Sequence, residues 1–93
     1  MITRINAILI HGDDNVVTLT TAVEKGGVAA FQKGDEIIEL KVAEDIPVFH
    51  KVALSEIEKG ASVYKYGQLI GTATVKIVKG THVHDHNIAS PSS

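Results

Sequence analysis

The chain is punctuated by Lys-Gly, at Lys25-Gly26, Lys33-Gly34, Lys59-Gly60 and Lys79-Gly80. Each pair lies between runs rich in Val, Ile and Thr, and glycine supplies the positive φ that a tight turn needs. Turns at that density leave room for short strands and for little else. The pattern predicts strands at Ala7–His11, Val16–Val23, Val28–Phe31, Glu36–Val42, Lys51–Leu54, Val63–Tyr66, Thr72–Val78 and Thr81–His86. Thr74–Val78 alternates with the period of two of a half-buried strand. One helical turn is expected at Ser55–Lys59, because Ser55 can cap it and Glu58 stands three residues on. Pro47 marks a strand entry. The stretch 89–93 (Ala-Ser-Pro-Ser-Ser) reads as a flexible tail. No sequence repeat stands out and no linker divides the chain, so residues 1–88 are expected to form one compact, mainly β domain.

Composition narrows the function. The 93 residues are 44% hydrophobic and 22% charged, a globular balance. A net charge of −2 is the wrong sign for a general nucleic-acid binder, which must neutralise phosphates. Aromatics at 4% also leave few stacking platforms for bases. The absence of Cys excludes a disulfide framework, a thiol nucleophile and a thiolate metal site. The apolar start Ile5–Ile10 is broken by Asn6, is too short to span a membrane and lacks a signal-peptide cleavage site. A cytoplasmic protein with neither membrane nor nucleic acid as partner is expected. Charge is uneven along the chain: four basic against eight acidic residues through Ile46, then five Lys against three acidic residues. The second half also holds four of the five His. It is the better place for an anionic ligand.

The main concentration of chemistry is Thr81-His82-Val83-His84-Asp85-His86-Asn87. In an extended chain, residues two apart share a face about 7 Å apart, so His-x-His can put two imidazoles on one ion. His82 and His86 would stand about 13 Å apart and could share an ion only if the strand bends. The chelating pair is therefore His82/His84 or His84/His86, against the plainer reading of a solvent-facing His stripe. Imidazoles with carboxylate or water suit Fe(II), Zn or Mn rather than Ca. A third ligand could come from His11, Asp13, Asp14 or another chain.

Three further segments matter. The polar turn His11-Gly12-Asp13-Asp14-Asn15 separates two apolar runs, as ordinary turn residues do, but could present binding groups at a strand end. His50 and Lys51 point to opposite faces of an otherwise apolar strand, and one could face a pocket as acid/base or anion contact. Gly67 and Gly71, after Val63-Tyr64-Lys65-Tyr66, fit tight turns or close backbone approach. There is no Walker motif, dinucleotide fingerprint or Gly-x-Ser-x-Gly elbow.

Taken in order, Ile46-Pro47-x-x-His50-Lys51-Val52-Ala53-Leu54, Ile57-x-x-Gly60, Val63-x-Lys65-Tyr66-Gly67-x-x-Ile70-Gly71-x-Ala73-Thr74 and Gly80-x-x-Val83-His84-x-His86-Asn87 resemble one family. It is the small amino-terminal SAF-type domain of the altronate and galactarate dehydratases, and His11-x-x-Asp14-Asn15-Val16 matches its first loop. The resemblance spans residues 8–88. One position departs from it: the family usually has Gly before the His-Lys pair, where this chain has Phe49.

The resemblance implies a β-clip fold and a part in removing water from a sugar acid with a divalent metal, Fe(2+). It implies the small subunit of such a lyase, active with a large catalytic subunit and inactive alone. His11, His84 and His86 would be metal ligands, and His50 and Lys51 catalytic groups, with His50 as acid/base. Lys51 and Lys65 would hold the carboxylate or hydroxyls of the hydroxy-acid anion, beside Tyr66, while Asn15 and Asn87 orient it. The alternatives are the alpha subunit of a (2R)-sulfolactate sulfo-lyase, a non-catalytic sugar-acid or metal-binding module, and a purely structural β-domain. Self-association is a further option for the partner.

Overall fold

In a computed structural model, which describes residues 4–90, the chain forms nine short strands and, among those residues, no helix. They are β1 (Ala7–Ile8), β2 (Val16–Leu19), β3 (Val28–Lys33), β4 (Glu36–Lys41), β5 (Lys51–Ala53), β6 (Ser62–Lys65), β7 (Gln68–Ala73), β8 (His82–Val83) and β9 (Ile88–Ala89). A central antiparallel sheet runs in the order β1-β2-β5-β8. The β3–β4 hairpin packs on one side of it, and a sheet ordered β6-β7-β9 on the other. The mainly β expectation holds.

The central strands explain why their sequence is apolar without alternation. Val17, Leu19 and Val52 join a cluster with Val23, Phe31, Leu40 and Ile46. Their neighbours Val16, Ala53 and Val83 join a second cluster with Ile57, Val63, Ala73 and Ile77. Successive side chains of a strand point to opposite faces, so a strand buried on both faces must be apolar throughout.

A structural repeat emerges, and against the expectation of none the sequence marks it with Val/Ile-x-Lys-Gly at residues 23–26, 57–60 and 77–80. Each hairpin is closed at its base by an isolated pairing of two β-branched residues, Val23 with Ile46 and Ile57 with Ile77. A turn follows each of these four residues. Its closing bond runs from the Gly27, His50, Ala61 or Thr81 amide to the Glu24, Pro47, Glu58 or Val78 carbonyl. The third turn residue has positive φ every time: Gly26, Gly60 and Gly80 at 87°, and Phe49 at 67°. The first unit thus runs from β2 through β3–β4 to β5, and the second from β5 through β6–β7 to β8.

Three local expectations give way. Residues 55–59 form no helical turn: Ile57 is buried and exchanges both backbone bonds with Ile77, so long-range pairing overrides the Ser55/Glu58 capping pattern. The strand placed at Thr72–Val78 lies earlier, at Gln68–Ala73, with Ile77 in the bridge and Val75 and Val78 exposed. Nor does order end at residue 88, because Ala89 pairs with Thr72 in β9. Residues 91–93 of the expected tail lie outside the described residues.

Candidate functional site

Antiparallel pairing of β5 with β8 builds the site. Val52 stands opposite His82 and Lys51 opposite Val83. That register brings His50, at the entrance of β5, beside His82 and His84. His50 Nδ1 and His82 Nε2 lie 2.8 Å apart, and the His50 and His84 rings stack with centroids 4.3 Å apart. One ring nitrogen from each of His50, His82 and His84 lies within 4.8 Å of the other two. All three side chains are half-buried. No other group of three or more potential metal ligands forms among the described residues.

The chain bends immediately after β8, and Asn87 makes the bend. The His84 amide donates to Asn87 Oδ1 at 2.9 Å, Asn87 Nδ2 donates to the His82 carbonyl at 2.7 Å, and the Asn87 amide donates to the His84 carbonyl at 3.0 Å. This turn carries the exposed His86 back until its ring centroid lies 5.1 Å from that of His82. Straight-strand spacing had kept those two rings far apart.

Electrostatics favour the uncharged form of His82. Burial pushes the His82 imidazole below its ordinary value, reinforced by His50, His86 and His84, while Glu44 opposes the shift. Glu44 also accepts the His82 amide through Oε2 at 3.1 Å. His84 Nδ1 is buried without a hydrogen-bond partner. An unsatisfied buried nitrogen costs about 1–3 kcal/mol, which a ligand there would offset. Three neutral imidazoles match the donor set of Fe, Zn or Ni and suit a divalent transition metal.

The expected ligand set is therefore regrouped. His11, His84 and His86 do not converge; His50 and His82 join His84 instead. His11 sits on the β1–β2 loop, its Nδ1 accepting the Asp13 amide at 3.1 Å and its ring against Gly67. Asp14 is buried and serves the backbone: it accepts the Gly67, Tyr66 and His11 amides at 2.7, 2.9 and 3.1 Å. Asn15 donates to the Ser62 carbonyl at 3.0 Å and accepts the Tyr64 amide at 2.8 Å. The amides of Asn15 and Asn87, given a ligand by the resemblance, thus have backbone partners.

Lys51 and Lys65 form a second feature. Lys51 is half-buried at the start of β5. Burial, then the Lys65 ammonium, lowers its affinity for a proton, with Asp85 pulling the other way. Lys65 lies 4.7 Å over the ring of Tyr66, an exposed residue at the β6–β7 tip. An anion beside these two ammonium groups would relieve the effect of Lys65 on Lys51. A separate open recess of about 570 Å³, lined by Lys25, Gly26, Lys41, Val42 and Ala43, contains none of these residues.

Comparison with known proteins decides the family. The altronate/galactarate dehydratase SAF domain matches residues 5–91. The chain belongs to that family. This SAF domain is 39% identical over 80 residues to an altronate dehydratase of Escherichia coli K12, covering 86% of the chain and 15% of the relative. It is 31% identical over 86 residues to the galactarate dehydratase (L-threo-forming) of the same strain, covering 92% of the chain and 16% of that enzyme. It is also 31% identical over 84 residues to the (2R)-sulfolactate sulfo-lyase subunit alpha of Chromohalobacter salexigens, covering 86% of the chain and 89% of the subunit. The chain thus spans about a sixth of the dehydratases and most of the sulfo-lyase subunit. Among the described residues, no helix is long and apolar enough to cross a membrane.

Proposed function

We propose that this SAF domain is the small subunit of a hydro-lyase that removes water from a sugar-acid anion, in the cytoplasm, with a divalent metal and a large catalytic subunit. The observation that carries the reading is the convergence of His50, His82 and His84 on a fold whose relatives are dehydratases and a sulfo-lyase subunit.

Eliminating water β to a carboxylate needs a base for the α-proton, positive charge for the resulting dianion and help for the departing hydroxyl. In this chain Lys51 and Lys65 supply the positive charge and bind the carboxylate. His50 and His82, whose facing ring nitrogens lie 2.8 Å apart, group with His84, and burial holds the proton affinity of His82 below its ordinary value, which favours the neutral ring a metal needs. A divalent metal, Fe(2+) by family likeness, would supply Lewis acidity toward the hydroxyl, and the three imidazoles fit it. The cluster is only half-buried, so a large subunit is needed to cover it and exclude water.

A second reading is the alpha subunit of a (2R)-sulfolactate sulfo-lyase, favoured by the match over 89% of such a subunit. The test is to assay the purified chain, alone and with its large subunit, on altronate, galactarate and (2R)-sulfolactate. The expected result is no turnover alone and dehydration of a sugar acid in the complex. Sulfite release from sulfolactate alone would establish the second reading. Turnover by the isolated chain would overturn the subunit reading, and a complex inactive on every substrate would overturn both.

A further inference from the structure

We infer that Phe49, with the adjacent Val48, is the anchor by which this chain docks on its large subunit, seated in an apolar pocket of that partner. The inference rests on the lyase reading and names a contact that the reading leaves open.

Backbone strain is the first pointer. Among the described residues, Phe49 and Tyr66 are the two non-glycine residues with positive φ, at 67° and 60°. A left-handed backbone is costly for a bulky L-residue, and it persists only where some interaction compensates. For Tyr66 the chain itself supplies compensation. Asp14 accepts its amide at 2.9 Å, and the Lys65 ammonium lies 4.7 Å over its ring. Phe49 has only a backbone bond from its amide to the Leu19 carbonyl, which any residue there could make. Nor does the turn itself ask for an aromatic, because its three counterparts carry Gly26, Gly60 and Gly80.

Exposure is the second pointer. Single apolar side chains at a surface are ordinary. Phe49 differs in being the most exposed large hydrophobic residue among those described, at 73%, with Val48 beside it exposed as well. An aromatic ring on a constrained backbone has little freedom left to lose on binding, which is what an interface anchor requires.

Position selects the occupant. Phe49 immediately precedes His50 at the entrance of β5, so a body that covers the half-buried imidazoles reaches Phe49 as well. The chain matches only 15–16% of the dehydratases, and the sulfo-lyase relative is itself a subunit. A second copy of this chain fits less well. Lys51 follows Phe49 by two residues and lies close enough to Lys65 to feel its charge. A two-fold contact centred on Phe49 would draw two such cationic pairs together.

The test measures affinity for the purified large subunit by calorimetry, beside urea unfolding of each chain alone. The variants are Phe49→Gly, Phe49→Asn and Phe49→Tyr. Ile37→Ala is the control, because Ile37 is also exposed and lies on the β3–β4 hairpin. Gly and Asn tolerate a left-handed backbone and lack the ring. Each should weaken the complex by more than about tenfold, while Phe49→Gly leaves the chain alone at least as stable. Phe49→Tyr and Ile37→Ala should bind as the unsubstituted chain does, within error. Affinity lost while stability is kept is a result that a merely structural Phe49 does not give. Unchanged affinity in both ringless variants would overturn the inference and leave the lyase reading standing. So would a dimer of the unsubstituted chain that Phe49→Gly dissociates while its hold on the large subunit persists. If the unsubstituted chain does not bind the large subunit at all, the lyase reading fails and the inference falls with it.

Discussion

The two structural units follow one plan and carry unequal chemistry. Each has a strand, a bridging residue with its turn, a hairpin, a second bridging residue with its turn, and an exit strand. The turns that enter the hairpins, at Gly26 and Gly60, bring no candidate site residue. The turns that leave them, at Phe49 and Gly80, lead into His50-Lys51 and His82-Val83-His84. The reason is topological: exit strands β5 and β8 are neighbours in the central sheet, whereas the hairpins lie on opposite sides of it. Repetition supplies the scaffold. Adjacency of the two exits supplies the site.

The hairpin tips differ as well, and they provide the largest expected effect. Gly34 takes positive φ at the first loop position of β3–β4, and Gln32 Nε2 donates to its carbonyl. At the β6–β7 tip both Tyr66 and Gly67 have positive φ, a two-residue turn that is strained for Tyr. Asp14 stabilises it from another loop by accepting both amides. Asp14→Ala leaves three donors without that carboxylate and should cost about 3 kcal/mol, whereas Gln32→Ala should cost under about 0.5 kcal/mol. Urea unfolding of the two variants checks the contrast; equal losses would show the tips to be alike.

The exit turns give the next effect, with opposite signs. A Cβ on Gly80 would meet the Lys41 carbonyl oxygen at 2.6 Å, in a residue with φ of 87°. Gly80→Ala should destabilise by more than about 2 kcal/mol. Phe49 holds the equivalent position while 73% exposed, so its burial offsets little of the left-handed strain. Phe49→Gly relieves about 1–2 kcal/mol of strain and loses part of that to chain entropy, for a net gain of about 0.5–1 kcal/mol. Thermal unfolding of both variants measures the pair. A destabilised Phe49→Gly would mean that the aromatic ring contributes packing that outweighs its backbone strain.

Much of this architecture was legible in the sequence for a physical reason: Gly at three of the four bridge turns and unbroken apolar runs in β2 and β5 are backbone and burial requirements. Ser55 and Glu58 misled because a capping pattern is local, while the Ile57–Ile77 pairing that overrides it spans 20 residues of chain. The site was only half legible. His84 could be singled out, but its association with His50 depends on the β5–β8 register, and a slip of one residue would turn His82 to the other face. Asp14, Asn15 and Asn87 looked like ligand-binding groups because short polar side chains serve ligands and backbone clamps equally well. Which backbone groups need them is a property of the folded chain.

The smallest expected effect tests whether the site imposes a cost on the exit strand that carries it. Burial and three neighbouring imidazoles hold His82 below its ordinary value of 6.5. The unfolded chain therefore binds a proton more readily than the folded one. Stability must fall as pH drops below that ordinary value, continue falling to the lower folded value, and then level off. Above the ordinary value the group contributes no pH dependence. His82→Gln keeps a polar side chain and removes the titration, so it should flatten the acid side of the stability profile without altering the alkaline side. Urea midpoints between pH 5 and 8 (on metal-free protein) compare the two chains. His11→Gln is the control: its exposed ring lies outside the cluster, and its profile should follow the unsubstituted chain. Were His11→Gln to flatten the acid limb and His82→Gln to preserve it, the proton-linked cost would belong to the first loop, and the exit strands would bear none of it.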